Sequence, residues 1–231
     1  MTRAAVSGAL GRMGTLARQT IEAAPDLQYA GGFARTRDPA QRLYNDLEQL
    51  FLEERPEVLV DFTARPFTQT AAESALAHGA RPIIGSSEWN ESERADLALR
   101  CRERALGALI VPNFAIGAVL MMRFAQEAAR HFPTAEIVEM HRAKKRDKPS
   151  ATAAATAARI ASGGGAHAVP IHSVRLEGLL AHQMVLFGNT GELLTIRHDS
   201  FSRDSFAAGL LRALRGVGAL DGLHVGLEAV L

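Results

Sequence analysis

The sequence predicts an α/β fold in which a domain built on a parallel sheet is followed by a domain of α+β type. Two observations predict it. Apolar strands alternate with helical segments through the first half of the chain, which indicates a parallel sheet covered on both faces. After residue 170, three strand-like runs follow one another, and the last two are joined by the hairpin-type turn Gly188-Asn189-Thr190-Gly191.

In the first half, each strand is followed by a helical pattern. The predicted strands are Thr2–Ser7, Gln28–Ala34, Val58–Phe62, Pro82–Ile84 and Ala108–Val111. The predicted helices are Arg12–Ala24, Pro39–Glu54, Pro66–His78 and Ser92–Leu106.

The second half changes character. Helices Gly117–Arg130 and Ala151–Ala161 are predicted on either side of the strand Glu136–His141, and a glycine turn follows at Ser162–Gly165. The remaining predicted elements are the strands Ile171–Leu176, His182–Phe187 and Glu192–His198 and a final helix from about Ser202 to Leu214.

Composition and charge limit the classes of function. The 231 residues include 26 basic and 25 acidic side chains, and a net charge of +1 gives no general attraction to nucleic acid or anionic membranes.

The uncharged run Ala105–Met122 is interrupted at Pro112-Asn113, which favours a buried strand, a polar loop and a core helix over a membrane span. Cys101 is the single cysteine and no secretory signal is convincing. We expect a cytoplasmic protein with no nucleic-acid partner, no membrane partner and no metal site.

A glycine-rich loop, Gly8-Ala9-Leu10-Gly11-Arg12-Met13-Gly14, connects the first strand to the first helix. Its glycines let backbone N–H groups approach a pyrophosphate at the helix N-terminus, where the helix dipole favours negative charge. The commoner dinucleotide fingerprint has glycine in place of Leu10. The loop predicts a dinucleotide site, and the alternative is a tight turn whose glycines serve only helix packing.

The ends of the next strands predict the rest of the cofactor site. No acid lies between Leu27 and Arg37 to bind the ribose of NAD, whereas Arg35 and Arg37 offer guanidinium groups to a 2′-phosphate. NADPH is therefore the preferred cofactor and NADH the second choice, unless both arginines are merely solvated. Three turns are expected to line one crevice at the carboxyl ends of the strands: Asp61-Phe62-Thr63, Gly85-Ser86-Ser87 and Pro112-Asn113-Phe114-Ala115.

The segment Glu136–Ala153 joins a strand, a basic loop and a helix start. The loop has five cations in seven positions: Arg142, Lys144, Lys145, Arg146 and Lys148. Ser150 can cap the following helix, whose N–H groups and Thr152 hydroxyl would face the loop, and His141 exchanges protons near neutral pH. One interpretation is a pocket for a small dicarboxylate. A solvated loop and a nucleic-acid patch are the others, and the patch lacks interleaved aromatic residues.

These residues resemble a known family. Glu139–Ala153, EMHRAKKRDKPSATA, resembles the signature E-x-H-H-x-x-K-x-D-x-P-S-G-T-A of the dihydrodipicolinate reductases of bacterial lysine and diaminopimelate biosynthesis. The resemblance covers nearly the whole chain. Further family segments are matched by residues 8–14, Val60–Thr63, Asn113–Gly117, His172–Arg175 and Ser202–Phe206.

The resemblance implies an oxidoreductase that reduces dihydrodipicolinate to tetrahydrodipicolinate with NAD(P)H. His141 would donate or accept a proton, and Lys145 would donate a proton and pair with a substrate carboxylate. The remaining substrate contacts would come from Arg142, Ser150, Ala151 and Thr152. The cofactor would contact residues 8–13, Arg35, residues 85–87, residues 112–115 and Arg203.

The resemblance also implies a domain organisation. Residues 1–113 and 203–231 would form a Rossmann-like dinucleotide-binding domain, and residues 114–202 a substrate-binding domain that builds a homotetramer through its sheet. Three positions depart from the family pattern: Arg142 replaces a second histidine, Ala151 replaces a glycine, and Gly85-Ser86-Ser87-Glu88 replaces Gly-Thr-Thr-Gly. The alternative hypotheses are a reductase of another small anionic imine or carbonyl, and a non-catalytic NADPH-binding sensor.

Overall fold

The computed structural model describes residues 1–86, 89–164 and 168–231, and the chain forms two units. The first unit comprises Met1–Phe114 and Phe206–Leu231, and the second comprises Ala115–Ser205. The chain therefore leaves the first unit once and returns to it. The functional roles expected of the two parts stay predictions.

The first unit is built on a seven-stranded sheet in which all the paired strands are parallel. The strands are β1 (Thr2–Ser7), β2 (Leu27–Phe33), β3 (Leu43–Tyr44), β4 (Val58–Asp61), β5 (Arg81–Ile84), β6 (Ala108–Ile110) and β11 (Leu223–Val225). Their order is β11-β6-β5-β4-β1-β2-β3. Successive strands run outward from β1 to β3 and restart at β4 on the other side, so the strand order reverses between β1 and β4, where such sheets bind ligands.

Helices connect these strands. They are α1 (Arg12–Ala23), α2 (Leu47–Glu54), α3 (Phe67–Ala77), α4 (Glu91–Arg104) and α7 (Ala207–Gly216). The central strands are buried on both faces: Leu59, Ile83 and Leu109 are fully inaccessible to solvent. Burial on both faces explains why these strands are continuous apolar runs in the sequence, and it confirms the predicted parallel sheet.

One predicted helix, Pro39–Glu54, is wrong. The segment forms a 3-10 turn at Pro39–Gln41, then β3, then α2. Asp38 and Asp46 each accept a backbone N–H at the start of a short helix, and Arg42 between them adopts a left-handed backbone with φ 52°. Two N-caps and one left-handed residue therefore divide the segment predicted as one helix into two short helices. The three-residue strand β11 was not predicted, because it is too short to show a periodicity.

The second unit has a four-stranded sheet in the order β10-β9-β7-β8. Its strands are β7 (Thr134–His141), β8 (Ile171–Arg175), β9 (Ala181–Asn189) and β10 (Glu192–Ser200), and its helices are α5 (Ile116–Ala128) and α6 (Ala151–Ser162). Strands β9 and β10 pair antiparallel, which confirms the predicted hairpin, whereas β7 and β8 pair parallel. Both helices pack on the sheet, over buried residues such as Ile137, Val185 and Phe187.

The predicted final helix begins as a 3-10 turn at Arg203–Phe206 and continues as α7, which packs on α1 within the first unit. Among the described residues, the structure contains no helix with both the length and the apolar character needed to cross a membrane.

The packing of α7 predicts the effect of a single methyl group. A Cβ at Gly209 would lie 1.9 Å from the carbonyl oxygen of Phe114, so Gly209→Ala should displace α7 and lower the free energy of unfolding by about 1–3 kcal/mol. Gly218→Ala is the matched control, since its added Cβ would have no described atom within 4 Å apart from those of its own segment of chain. Thermal unfolding should give a lower Tm for Gly209→Ala alone; equal Tm values would contradict this packing.

Candidate active site

The glycine loop of the first unit is held by close backbone contacts. Gly8 has φ +76°, and a Cβ there would lie 3.1 Å from the carbonyl oxygen of Phe62. The N–H groups of Gly8 and Ala9 both donate to the carbonyl of Phe33, at 3.0 and 3.1 Å. A Cβ at Gly14 would lie 2.2 Å from the carbonyl oxygen of Gly8. Packing therefore requires glycine at positions 8 and 14, as expected if the loop is a tight turn between β1 and α1.

The same loop also presents an open helix N-terminus. Gly11 is the N-cap of α1, and no described side chain caps this end. Leu10, Gly11 and Arg12 are exposed, and Leu10 is 61% exposed although it is apolar. The first-turn N–H groups of a helix lack intrahelical partners, and the dipole favours an anion beside them. The loop therefore combines the packing role with the features of a phosphate site, and it fits a dinucleotide.

The turns after β4, β5 and β6 meet around Phe62. A Cβ at Gly85 would lie 2.5 Å from Cδ1 of Phe62, and the rings of Phe62 and Phe114 have centroids 5.6 Å apart. Gly8 contacts the same turn, so the structure brings three of the predicted strand ends together within the first unit. Pro112 is exposed and Asn113 half-buried beside them. Ser87, predicted to contact the cofactor, lies outside the described residues.

Asp61 fixes the turn that carries Phe62. Its carboxylate is fully buried and accepts hydrogen bonds from the hydroxyls of Thr63 at 2.7 Å and Thr68 at 2.6 Å. The backbone N–H of Thr63 donates to the same carboxylate at 3.3 Å. Because Asp61 ends β4, Thr63 lies in the turn and Thr68 lies in α3, these bonds hold the turn between β4 and α3.

The loop after β2 carries the two arginines of the cofactor prediction. Arg35 and Arg37 are exposed beyond the end of the strand. The first acid after them, Asp38, accepts hydrogen bonds from the N–H of Ala40 at 3.0 Å and from Nε2 of Gln41 at 2.7 Å. Its carboxylate therefore serves the turn, and the two arginines are the charged side chains nearest the strand end.

The second unit contains a fully buried carboxylate, Glu139 on β7, with several donors around it. Arg175 on β8 binds it through both terminal nitrogens, Nη1 to Oε2 at 2.8 Å and Nη2 to Oε1 at 2.6 Å. Nδ1 of His141 lies 2.5 Å from Oε2, and the N–H of Ser150 donates to Oε1 at 3.3 Å. We call Glu139, His141, Ser150 and Arg175 the Glu139 cluster. Burial alone raises the pKa of Glu139, but Arg175, Ser173 and His141 outweigh it and hold the pKa at about 2.

The Glu139 cluster sets the protonation state of His141. Burial lowers the pKa of His141 below its usual value, assisted by the charges of Lys145 and Arg175 and opposed by Glu139. The ring is therefore neutral at pH 7. An ionised carboxylate can only accept, so Nδ1 carries the ring proton and Nε2 keeps its lone pair. The side chain is 15% exposed, which gives His141 limited access to solvent.

Lys145 lies in the basic loop, four residues after His141. Its ammonium donates to Oδ2 of Asp147 at 2.6 Å, and this bond is the main reason that the pKa of Asp147 is lowered. The backbone carbonyl of Asp147 accepts from Nη2 of Arg175 at 2.8 Å. Arg142, in the same loop, is exposed. Asp147 therefore connects the loop to the sheet through its backbone carbonyl and binds the Lys145 ammonium through its carboxylate.

Helix α6 begins directly after the loop. Oγ of Ser150 accepts the N–H of Ala153 at 3.2 Å, as predicted for an N-cap. Ala151 is exposed and Thr152 half-buried in the first turn. Ser150 joins this helix end to the Glu139 cluster through its own N–H. The arrangement places His141, Lys145 and the N-terminus of α6 on one short stretch of the second unit, and it can hold an anion near a proton donor.

Three residues of the site were not predicted from the sequence: Glu139, Arg175 and Asp147. Glu139 and His141 are two residues apart on a strand, so they share a face of the sheet, and this spacing could have identified Glu139. Arg175 could not be identified in this way, because its place beside His141 depends on the pairing of β7 with β8. Two predicted cofactor residues, Ala115 and Arg203, belong to the second unit.

Comparisons with known proteins agree in naming one family. A model described as "Dihydrodipicolinate reductase, N-terminus" matches residues 2–114, and one described as "Dihydrodipicolinate reductase, C-terminus" matches residues 117–231. The 4-hydroxy-tetrahydrodipicolinate reductase of Coxiella burnetii (strain Dugway 5J108-111) is 39% identical, with 98% of each chain covered. The enzyme of the same name from Lactobacillus acidophilus is 40% identical over 99% of this chain and 98% of its own.

Solved structures give the same result. A dipicolinate-bound dihydrodipicolinate reductase from Paenisporosarcina sp. TG-14 superposes with a TM-score of 0.90 at 33% identity, with 100% of both chains covered. An amine dehydrogenase from Mycobacterium smegmatis gives a TM-score of 0.70 at 11% identity over 100% of this chain and 96% of its own, and it shares the fold alone.

The low pKa of Glu139 predicts how stability depends on pH. The pKa falls from 4.5 to about 2 on folding, so its contribution is present above pH 4.5 and is lost as the pH falls toward 2. This difference corresponds to roughly 3 kcal/mol. The stability deficit of Glu139→Gln relative to wild type should therefore be larger at pH 7 than at pH 2.5, as measured by denaturant unfolding.

The control for this measurement is Glu48→Gln, which removes an exposed carboxylate that lies 3.0 Å from Nε2 of His78. This variant should stay within about 0.5 kcal/mol of wild type at both pH values. A deficit of Glu139→Gln that is the same at pH 7 and pH 2.5 would show that the carboxylate is not stabilised in its charged form.

Proposed function

The chain belongs to the dihydrodipicolinate reductase family, and we propose that it reduces 4-hydroxy-tetrahydrodipicolinate to tetrahydrodipicolinate, with loss of water, using a hydride from NAD(P)H and a proton. This reaction is a step of lysine and diaminopimelate biosynthesis. The observation that supports it most is the arrangement of the second unit, where a neutral His141 and a charged Lys145 precede an anion-binding helix end. A cytoplasmic location agrees with such a biosynthetic reaction and stays a prediction.

We assign the nicotinamide nucleotide to the predicted residues: Gly8–Met13, Arg35, Gly85–Ser87, Pro112–Ala115 and Arg203. The positive φ of Gly8 and the uncapped start of α1 support a pyrophosphate at this loop. Arg35 supports a 2′-phosphate and therefore NADPH over NADH. When bound, the nucleotide supplies a hydride to the substrate.

The protein must supply the proton that accompanies the hydride. Lys145 carries an ammonium group with N–H donors besides the one given to Asp147, so we assign it the role of proton donor and carboxylate partner. Loss of water from the 4-hydroxy substrate takes a proton from its ring, and His141 keeps a lone pair on Nε2 at pH 7, so we assign it the role of acceptor of that proton. The resemblance left its direction open, and the hydrogen bond from Nδ1 to Glu139 favours acceptance.

A small dicarboxylate suits the remaining groups. The first turn of α6 offers the N–H of Ala151 and the side chain of Thr152, with Ser150 as its cap. Arg142 adds a guanidinium group where the family pattern has histidine, and it can pair with a carboxylate bidentately. A relative of known structure was solved with dipicolinate bound, which supports a ligand of this class.

A related reductase of another small anionic imine or carbonyl is the second candidate. Arg142 and Ala151 favour it, because both alter the segment assigned to the substrate. Assay of a panel of cyclic and open-chain imines of dicarboxylic acids distinguishes the two: a clear preference for another member of the panel would displace 4-hydroxy-tetrahydrodipicolinate.

We propose a homotetramer built through the sheet of the second unit. Alternate residues of its strands, such as Val138, Met184 and Leu186, lie on the face away from α5 and α6 and are only half-buried. Leu193, at the edge strand, is 67% exposed. Association would remove this apolar surface from water. Light scattering coupled to size exclusion measures the mass of the assembly directly.

Replacement of Lys145 tests the proton donor. Lys145→Ala should lower kcat by about 10²–10⁴-fold, because both the donated proton and a carboxylate partner are lost. NADPH binding, measured by fluorescence titration, should persist. Lys144→Ala removes an exposed charge one residue away and should cost a few-fold at most. An equal fall in kcat for the two variants would show that the loop contributes only its overall positive charge and that Lys145 has no specific role.

Replacement of Arg35 tests cofactor choice. Arg35→Ala should raise the KM for NADPH roughly tenfold and leave the KM for NADH nearly unchanged, because only NADPH has the 2′-phosphate. Steady-state assays with both nucleotides side by side give the comparison. An unchanged KM for NADPH would show that Arg35 is a solvated surface residue that does not contact the 2′-phosphate.

A further inference from the structure

We infer that Glu139 and Arg175 are positioning residues for the proposed reaction. Through one buried ion pair they fix the ring of His141, the loop that carries Lys145 and the first turn of α6. The inference deepens the proposed function and rests on it. Neither residue is assigned to the substrate or to the cofactor, and both act through neighbouring side chains.

The four terminal N–H groups of Arg175 all bond to the protein itself, and its buried Nε–H has no hydrogen-bond partner among the described residues. Nη1 donates to Oε2 of Glu139 and to the carbonyl of Val174, both at 2.8 Å. Nη2 donates to Oε1 of Glu139 at 2.6 Å and to the carbonyl of Asp147 at 2.8 Å. The side chain is 6% exposed. A guanidinium group with all four terminal N–H groups engaged and almost no exposure is not available to a substrate carboxylate.

The two oxygens of Glu139 are equally committed. Oε1 accepts from Arg175 and from the N–H of Ser150, and Oε2 accepts from Arg175 and from His141. A carboxylate can accept all four bonds because it has no proton of its own. An amide in its place presents one NH₂ group to two of these groups. At the Oε1 position it breaks the bonds from Arg175 and Ser150, and at the Oε2 position it breaks the bond from Arg175 and can keep His141 only if the ring exchanges tautomer and Nδ1 accepts.

The ion pair reaches Lys145 through Asp147. Arg175 holds the backbone carbonyl of Asp147, and the side-chain carboxylate of Asp147 holds the Lys145 ammonium at 2.6 Å. A continuous path therefore joins the buried carboxylate to the charged amine. Loss of Arg175 would remove the hydrogen bond that holds the backbone carbonyl of Asp147 to β8, and the loop that carries Lys145 would be less restrained.

The charges that face His141 are those of Glu139, Lys145 and Arg175, and they act in opposite directions. Glu139 stabilises the protonated ring, whereas Arg175 and Lys145 destabilise it. Removal of Glu139 should therefore lower the pKa of His141, and removal of Arg175 should raise it. A role limited to stability would give no such opposite pair of changes.

The experiment compares Glu139→Gln and Arg175→Met in the full-length protein. The pKa of His141 is measured by ¹⁵N NMR titration of histidine-labelled protein, with the signal assigned by His141→Gln. We expect a lower pKa in Glu139→Gln, a higher pKa in Arg175→Met, and a fall in kcat of roughly 10- to 100-fold in both. Binding of NADPH should be retained. Glu48→Gln, the exposed carboxylate beside His78, should match wild type throughout.

Shifts of the His141 pKa in the same direction in both variants, or wild-type kcat in Glu139→Gln, would overturn the inference. If Arg175→Met does not fold, Glu139→Gln alone decides, because an unchanged His141 pKa in that variant also overturns it. Turnover by the wild-type protein tests the proposed function separately, whereas the NMR titration needs no turnover. Failure of one is therefore distinguishable from failure of the other.

Discussion

The ion pair between Glu139 and Arg175 is the interaction on which the second unit depends. A carboxylate with no exposure is costly to ionise unless each of its oxygens has donors, and here both oxygens have two. The donors come from β7, β8 and the start of α6. A single buried charge therefore joins β7 and the start of α6 to β8, which lies further along the chain, and the residues assigned to substrate and proton lie on these elements or between them.

In the first unit, the turns that carry the predicted ligand-binding residues are held in place with fewer charged groups. Its loop after β1 is set by glycine geometry, where added Cβ atoms would meet backbone atoms of neighbouring turns. The turn after β4 is held by the buried Asp61 and two threonine hydroxyls. The groups it offers to a ligand are backbone N–H groups and exposed arginines, which suit phosphates. The second unit offers an imidazole and an amine, which suit proton transfer. The division of tasks follows from the kinds of group each unit presents.

Much of the fold could be predicted because apolar strands buried on both faces are visible as continuous runs, as in Val58–Asp61. The boundaries of Pro39–Glu54 could not, since two aspartate caps and a left-handed Arg42 override a weak helical pattern. The site was predictable where residues are close in sequence: His141, Lys145 and Ser150 lie within ten positions. Arg175 was not, because it contacts Glu139 across 36 positions of the chain and only the register of β7 with β8 brings them together.

In the proposed reaction, the protein holds His141 neutral with a lone pair on Nε2 while Lys145 supplies the proton. The pH dependence of kcat/KM for the wild-type enzyme with NADPH tests it most directly, since this profile reports the ionisation of groups in the free enzyme. The pKa of His141 is lowered from 6.5, so the neutral form persists below that pH. We expect kcat/KM to be maintained at pH 6.5 and to fall only at lower pH. A value of kcat/KM that rises as the pH is lowered through 6.5 would mean that the protonated ring is the active form, and would contradict the account.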